Sequence, residues 1–281
     1  MIKNSVIILI TVFVCITSSL LSAVNIDSST VVTPKIVAHR GASVTAPENT
    51  MAAIKLAWEL GADIVEIDVR LTKDKHIVLM HDPSAKRTSG HNLAISTVTL
   101  SEVQCLDVGR QKNEKYTGEK VPLLEDVLKT IPEGKEMFVE IKVGKEIIPE
   151  LKRVIESSGK AAQVVIIGFS QPTVVYAKEQ IPGIRGTFQL LREVRDSKTK
   201  NCIPYNFNNI DVIKKIGLTG LDVHYASLTE EFIKKAHAEG IKIVVWTVNN
   251  IENMKRYAAW GVDYITTDTA EDAIRVLKKP F

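Results

Sequence analysis

Residues 36–82 read IVAHRGASVTAPENTMAAIKLAWELGADIVEIDVRLTKDKHIVLMHD, and this stretch contains three strand patterns and one helix pattern. The first strand pattern is the short apolar run Ile36–Ala38, which is typical of a buried strand. It ends at His39, Arg40 and Gly41. A titrating group, a fixed cation and a flexible backbone therefore meet at one strand end, which indicates a site for chemistry.

Two carboxylates lie in the next predicted strand, Ile64–Val69, at positions Glu66 and Asp68. Residues two apart in a strand point to the same face, so the two carboxylates share a side. A polar turn separates this strand from a third one, Ile77–Met80, which ends in a second histidine. If the two strands form an antiparallel hairpin, His81 returns beside Asp68. Such a convergence of polar groups at strand ends favours a site for a metal and an anion.

A helix pattern lies between the first two strands and follows the motif Pro47–Thr50. Gly61 stands at a plausible C-cap position, where a left-handed residue commonly ends a helix. Within the motif, Glu48 is expected to hold Arg40 or His39 in place, or to begin the helix.

Strand and helix patterns alternate along the rest of the chain, which predicts a parallel sheet. The predicted parallel strands begin near Ile36, Ile64, Met137, Val164, Ile184, Gly220, Ile241 and Tyr264. Eight such units predict an α/β fold of the closed (β/α)8 TIM-barrel type, with residues 77–80 as an extra β-hairpin arm. A doubly wound open sheet is the alternative, but no Gly-x-Gly-x-x-Gly follows the first strand to support a dinucleotide site.

The segment 83–122 is too long to be a bare loop in a compact domain, and we expect it to form a capping insertion near the site. A short helix is expected there at Ser101–Leu106. Residues 192–205 are polar and are expected to be irregular.

The composition fits an ordinary globular protein, because 45% of the 281 residues are hydrophobic and 25% are charged. A net charge of +3, spread evenly, does not indicate a nucleic-acid partner. Cys105 and Cys202 remain if a leader is removed. We expect two independent, mostly buried thiols, although a disulfide between them stays open.

The first 23 residues combine an early lysine, an apolar run and small residues, which predicts a signal peptide cleaved after Ala23. Leu21 is larger than the residue preferred at that position, and an uncleaved membrane anchor is the alternative. The chain is therefore expected to be exported to the periplasm or secreted, with residues 34–281 as the mature barrel domain and no stable membrane span in it.

Active sites of such barrels lie at the carboxyl ends of the strands. Polar or aromatic residues are found at those positions in all eight predicted strands: His39, Arg40, Glu66, Asp68, Glu140, Lys142, Phe169, Gln189, His224, Tyr225, Trp246 and Asp268. A third carboxylate at Glu140 would complete an oxygen-rich site suited to Ca²⁺ or Mg²⁺. The alternative is a Glu140–Lys142 ion pair on a solvated face, which the apolar neighbours in that strand disfavour.

The ordered motifs resemble the glycerophosphodiester phosphodiesterase family. The matching residues are His39-Arg40-Gly41, Pro47-Glu48-Asn49-Thr50, Glu66-x-Asp68 and His81-Asp82. The resemblance covers residues 36 to about 272. It implies hydrolysis of a small-molecule glycerophosphodiester to sn-glycerol 3-phosphate and an alcohol.

The same resemblance implies roles for individual residues. Glu66, Asp68 and Glu140 would bind one divalent cation, Ca²⁺ or Mg²⁺, with His39 as general base and His81 as general acid. The assignment of acid and base stays open, as does a cyclic phosphate intermediate.

Substrate contacts are expected from charged and aromatic side chains. Arg40 and Lys142 would surround the phosphate charge. Trp246 would pack against the glycerol backbone, and Phe169 is a weaker candidate; barrel packing is the alternative for both.

Two other functions are alternatives on the same barrel. Cleavage of phospholipid or phosphoinositide would need an exposed apolar rim, which residues 83–122 lack. A catalytically inactive binding protein would usually have lost a histidine or a carboxylate of the motif. The oligomeric state and the alcohol stay open.

Overall fold

Eight parallel strands close into a barrel within residues 33–278, the part of the chain that the computed structural model describes. The strands are β1 (Lys35–Ala38), β2 (Ile64–Leu71), β3 (Ile77–Leu79), β4 (Glu136–Ile141), β5 (Val164–Gly168), β6 (Gly186–Leu191), β7 (Val194–Arg195), β8 (Cys202–Ile203), β9 (Gly220–His224), β10 (Lys242–Trp246) and β11 (Tyr264–Thr267). The helices are α1 (Met51–Leu60), α2 (Lys86–Ser89), α3 (Leu100–Gln104), α4 (Leu124–Leu128), α5 (Ile148–Ser158), α6 (Gln171–Gln180), α7 (Asn208–Ile216), α8 (Glu230–Ala238), α9 (Ile251–Ala259) and α10 (Ala270–Leu277).

The order of strands around the barrel is β1-β2-β4-β5-β6-β9-β10-β11. The barrel closes because Val37 of β1 pairs in parallel with Ile64 on one side and with Thr266 on the other. The predicted (β/α)8 barrel is therefore confirmed, and the open-sheet alternative is excluded.

Side chains alternate between the lumen and the surrounding helices, and the lumen changes character along its axis. Its lower part is an apolar cluster: Val37, Ile64, Phe138, Val165, Ile167, Phe188, Leu190, Val244 and Tyr264. Two residues further along β1, β2 and β4, the next lumen positions are His39, Glu66 and Glu140. The period-two alternation of strands thus carries polar groups to the carboxyl ends of the barrel, above an apolar base.

Helix α1 is bounded as its sequence predicts. The Thr50 hydroxyl accepts a hydrogen bond from the Ala53 backbone N–H at 3.2 Å, and Gly61 ends the helix with a φ of 93°. Thr50, and not Glu48, is therefore the residue that begins the helix.

Strand β3 forms the predicted hairpin arm. It pairs antiparallel with β2, and the Met80 N–H donates to the Asp68 carbonyl at 3.0 Å. The capping insertion follows and packs against the hairpin arm in a second buried apolar cluster: Val78, Met80, Ala85, Ile95, Val98, Val103, Leu106, Val108 and Val121. Its helix α3 lies at 100–104, close to the predicted 101–106.

Two expectations are corrected. Residues 192–205 are not wholly irregular, because β7 and β8 form a short antiparallel ribbon in which Val194 faces Ile203. Cys105 and Cys202 are free thiols as expected, but neither is buried. Cys105 lies at the end of α3 on the exposed side of the cap, and Cys202 lies in the two-residue strand β8.

The predicted signal peptide, residues 1–23, lies outside the described residues. Within residues 33–278, no helix combines the length and apolar character needed to cross a bilayer.

Candidate active site

The carboxyl end of β1 turns sharply and aims its polar residues at β2. Arg40 has a φ of 57° and Gly41 a φ of 81°, both in the left-handed region. For a non-glycine residue this conformation costs about 1–2 kcal/mol. It is stabilised here because the Arg40 N–H donates to Glu66 Oε2 at 2.9 Å and its guanidinium donates to Glu48 Oε1 at 3.0 Å. The expected contact of Glu48 with Arg40 is thus present.

Three carboxylates from two neighbouring strands converge beside this turn. Glu66, Asp68 and Glu140 are all buried, and one oxygen of each lies within 4.8 Å of the others. They meet because Asp68 pairs in register with Glu140 across β2 and β4. The sequence-based grouping of these three residues is confirmed in space.

The three carboxylates repel one another at this short distance. Burial raises the pKa of Glu66 well above its usual range, and repulsion from Asp68 and Glu140 raises it further. Burial and the Asp68 charge likewise raise the pKa of Glu140. Glu66 Oε1 is buried and has no hydrogen-bond partner in the described part of the chain, and Asp68 Oδ1 has only an ion pair with Lys142 Nζ at 3.2 Å. Carboxylate oxygens crowded together fit a bound cation, and an all-oxygen donor set suits a hard divalent ion.

Two cations flank the carboxylates. Lys142 Nζ lies 2.7 Å from Glu140 Oε1 and 3.2 Å from Asp68 Oδ1, while Arg40 Nε lies 3.3 Å from Asp68 Oδ2. Although burial opposes ionisation of Asp68, these cations leave its pKa below the usual value. The Glu140–Lys142 ion pair does form, but in the cavity and not on a solvated face.

His39 is held by an acidic partner from the last barrel strand. Its Nδ1 lies 2.7 Å from Asp268 Oδ1, and its Nε2 lies 3.9 Å from Glu66 Oε2. Asn249 Nδ2 donates to the other Asp268 oxygen at 2.7 Å. Although burial opposes it, the hydrogen bond from His39 lowers the pKa of Asp268 to about 2. The imidazole is therefore oriented with Nε2 toward the carboxylates.

His81 has a similar support, built from the capping insertion. Its Nδ1 lies 2.7 Å from Asp82 Oδ1, and Arg87 Nε donates to Asp82 Oδ2 at 2.7 Å. Arg87 also donates two hydrogen bonds, of 2.6 and 2.8 Å, to Glu48. On the other side, Arg70 Nη2 donates to the His81 carbonyl at 2.7 Å. Burial lowers the pKa of the His81 imidazole.

The opposite wall of the site is aromatic. Trp246 meets Phe169 edge to face, with ring centroids 5.7 Å apart, and both side chains line the cavity. His224, also at a strand end, contacts the Trp246 ring at 5.0 Å but does not line the cavity. Gln189 points away from the lumen and donates to the Phe169 carbonyl at 3.0 Å, so its predicted place at the site is wrong.

These residues enclose a cavity of about 230 Å³ at the carboxyl ends of the strands. Its lining includes eight of the nine residues predicted for the site: His39, Arg40, Glu66, His81, Glu140, Lys142, Phe169 and Trp246. Asp68 lies directly behind them and is fully buried. The two histidines, the carboxylates and the two cations thus face one small space.

Sequence reasoning gave no role to several supporting residues. Asn49 forms two hydrogen bonds with Asp68. Its Nδ2 donates to Asp68 Oδ2 at 2.8 Å, and its Oδ1 accepts from the Asp68 N–H at 3.0 Å. Asp268 was predicted at a strand end but without a role, and Asn249 was not predicted at the site. The position of Asn49 within the Pro-Glu-Asn-Thr motif could have indicated its role. The contacts of Asn249 and Asp268 could not be read from the sequence, because they depend on loops from distant strands.

Gly41 is required by both conformation and space. A Cβ there would lie 2.7 Å from the Ala53 carbonyl carbon, whereas a Cβ at Gly61, also at positive φ, would meet nothing within 4 Å. We expect Gly61→Ala to lower the free energy of unfolding by about 1–2 kcal/mol, and Gly41→Ala to add about 1–3 kcal/mol of steric strain. Urea unfolding of both variants measures the difference; equal midpoints would contradict it.

Comparison with known proteins identifies the family of this chain. Residues 39–272 match the model of the glycerophosphoryl diester phosphodiesterase family. A glycerophosphodiester phosphodiesterase of Caldanaerobacter subterraneus is 33% identical over 87% of this chain and 98% of its own. An Oleispira antarctica phosphodiesterase, solved in complex with the product sn-glycerol-3-phosphate, superposes with a TM-score of 0.76 at 24% identity, over 88% of this chain and 98% of that one. A Thermotoga maritima glycerophosphodiester phosphodiesterase superposes with a TM-score of 0.67 at 27% identity, over 86% and 98%. The motifs on which the sequence resemblance depends surround the cavity just described, and the chain belongs to the glycerophosphoryl diester phosphodiesterase family.

Proposed function

We propose that this chain hydrolyses glycerophosphodiesters to sn-glycerol 3-phosphate and an alcohol, with one divalent cation, Ca²⁺ or Mg²⁺. The observation that carries the proposal is the grouping in one cavity of two carboxylate-supported histidines, a buried cluster of three carboxylates and two cationic side chains. The family relationship and the product bound to the Oleispira relative support the choice of substrate.

The cation would be held by Glu66, Asp68 and Glu140, whose crowded oxygens otherwise repel one another. When bound, a divalent cation stabilises negative charge that develops on phosphoryl oxygens. Asn49 keeps Asp68 in position for this role through its two hydrogen bonds. The absence of thiols from this cluster favours a hard ion over zinc.

The histidines divide the two proton transfers. Each Nδ1 is bound to a carboxylate, Asp268 for His39 and Asp82 for His81, so the proton-transferring atom of each ring is Nε2. By the family pattern, His39 accepts the proton of the attacking oxygen and His81 donates one to the leaving alkoxide. Each imidazole is held in the cavity by a carboxylate partner, as a positioned general acid or base requires.

The substrate is held by charge and by apolar contact. Arg40 and Lys142 lie beside the carboxylate cluster and would neutralise the phosphodiester, whose charge increases in the transition state. Trp246 and Phe169 form the apolar wall against which the glycerol backbone packs.

The direct test is to incubate the purified chain with glycerophosphocholine and either Ca²⁺ or Mg²⁺, and to assay sn-glycerol 3-phosphate. We expect product with at least one cation and none after chelation. No product with any divalent cation or with other glycerophosphodiesters would favour a binding protein on the same barrel.

Arg87 is expected to act through Asp82. Arg87→Gln removes the hydrogen bond that fixes Asp82, and with it the orientation of His81, so kcat should fall about tenfold with little change in KM. Arg110→Gln, at an exposed position of the same insertion, is the matched control and should leave kcat unchanged. An unaltered kcat in Arg87→Gln would show that the capping insertion does not position the histidine.

Export is proposed from the leader alone. Cleavage after Ala23 would release residues 24–281 into the periplasm or medium. N-terminal sequencing of the chain from the exporting cell tests this; a retained residue 1 would contradict it.

A further inference from the structure

Two buried polar side chains of the cavity have no hydrogen-bond partner among residues 33–278. Asp222 on β9 is 2% exposed, and Thr266 on β11 is 4% exposed. Their atoms Asp222 Oδ1 and Thr266 Oγ1 are the unpartnered ones, and both residues line the cavity. Neither belongs to the carboxylate cluster formed by Glu66, Asp68 and Glu140.

Such groups are unfavourable for the fold itself. A buried polar atom without a partner costs about 1–3 kcal/mol, and native structures leave few of them. The neighbouring lumen positions are apolar, among them Ile167, Leu190 and Val244. An aliphatic residue at 222 or 266 would therefore pack at lower cost. A bound ligand that forms hydrogen bonds with Asp222 Oδ1 and Thr266 Oγ1 would remove this cost.

The two side chains lie on strands other than the two that carry the carboxylate cluster. Around the eight-strand barrel, β9 is four strands from β2, so Asp222 faces Glu66 across the lumen. Thr266 lies two strands further along, and Trp246 of β10 stands between them. Trp246 is fixed there because its Nε1 donates to the Asp222 carbonyl at 3.2 Å. The two polar groups thus flank the aromatic side chain, with Asp222 opposite β2 and Thr266 beside β1.

We propose that Asp222 and Thr266 bind the free hydroxyl groups of the glycerol part of the substrate. This inference rests on the proposed function and names the residues that make it selective for a polyol. The Asp222 carboxyl and the Thr266 hydroxyl lie on either side of the Trp246 indole. Each can therefore form a hydrogen bond with one of the two free hydroxyls of glycerol. Apolar contact with Trp246 supplies affinity, and the two polar groups supply selectivity, because an analogue without hydroxyls leaves them unpaired.

Binding of two ligands that differ only in the glycerol tests the proposal. Isothermal titration with sn-glycerol 3-phosphate and with inorganic phosphate, both in Mg²⁺, is compared for the wild type and for Asp222→Leu, Asp222→Asn and Thr266→Val. We expect Asp222→Leu to raise the Kd for sn-glycerol 3-phosphate about tenfold or more, and Thr266→Val about threefold to tenfold. The Kd for inorganic phosphate should stay within about twofold, and Asp222→Asn, which can still hydrogen-bond, should recover most of the affinity.

Two outcomes would overturn the assignment. Either sn-glycerol 3-phosphate binds both aliphatic variants as tightly as the wild type, or both ligands lose affinity equally, which would place the effect at the phosphate or cation site. Thr266→Val alone decides the question if Asp222→Leu does not fold. A wild type that releases no sn-glycerol 3-phosphate from glycerophosphocholine would instead contradict the proposed function, which is a separate result.

Discussion

His81→Ala is expected to lower kcat for glycerophosphodiester hydrolysis by about 10²–10⁴-fold, the usual contribution of a positioned general acid or base. His81 lines the cavity, and its Nδ1 is held by Asp82 at 2.7 Å. The substitution removes a proton donor and little buried apolar volume, so the thermal midpoint should change little. The measurement is the steady-state rate of sn-glycerol 3-phosphate release with saturating cation.

His76→Ala provides a matched control on the same hairpin. His76 lies in the exposed turn between β2 and β3 and does not line the cavity. Its kcat should equal that of the wild type. If His81→Ala retained full turnover, or if both variants lost it together, the assignment of His81 as a catalytic residue would be wrong.

Glu66→Gln should abolish cation-dependent turnover while stabilising the cation-free protein. Glu66 is fully buried, and burial together with the Asp68 and Glu140 charges raises its pKa well above the usual range. An amide keeps the shape and the oxygen that accepts from the Arg40 N–H, and above the raised pKa of Glu66, where the acid is ionised, it removes one of three repelling charges. A gain of about 1 kcal/mol would raise the thermal midpoint by about 2–4 °C for a chain of this size.

Thermal unfolding with and without Mg²⁺ or Ca²⁺ measures this effect apart from activity. In the wild type, a cation at about 100 times its Kd should add about 2.7 kcal/mol of stability, because it binds only the folded state. Glu66→Gln should lose most of that increment. Glu59→Gln, on the exposed face of α1, is the control and should keep it. A cation response that survives in Glu66→Gln would remove this residue from the set of ligands.

Much of the site could be predicted because barrel strands obey a simple periodicity. Glu66 and Asp68, two apart in one strand, had to share a face, and the hairpin turn had to return His81 beside them. Glu140 followed from counting strands, since the third parallel strand of a barrel lies next to the second. The same reasoning failed for Gln189, whose side chain points away from the lumen although it lies near a strand end.

The supporting contacts could not be predicted in this way. Asp268 reaches His39 across 229 positions of sequence, and Arg87 reaches Glu48 across 39. These pairs depend on how the barrel closes and on how the capping insertion folds back over it. Neither is expressed in the local pattern of residues.

The sequence by itself determined the barrel, the order of its strands and the identity of the reactive side chains, because alternation and turn chemistry act over a few neighbouring residues. Only the tertiary structure decided which oxygens remain unpartnered, which carboxylates orient the histidines, and that Asp222 and Thr266 face the cavity. The physical reason is that burial and hydrogen-bond pairing depend on every strand of the closed barrel at once, whereas strand and helix patterns are set locally.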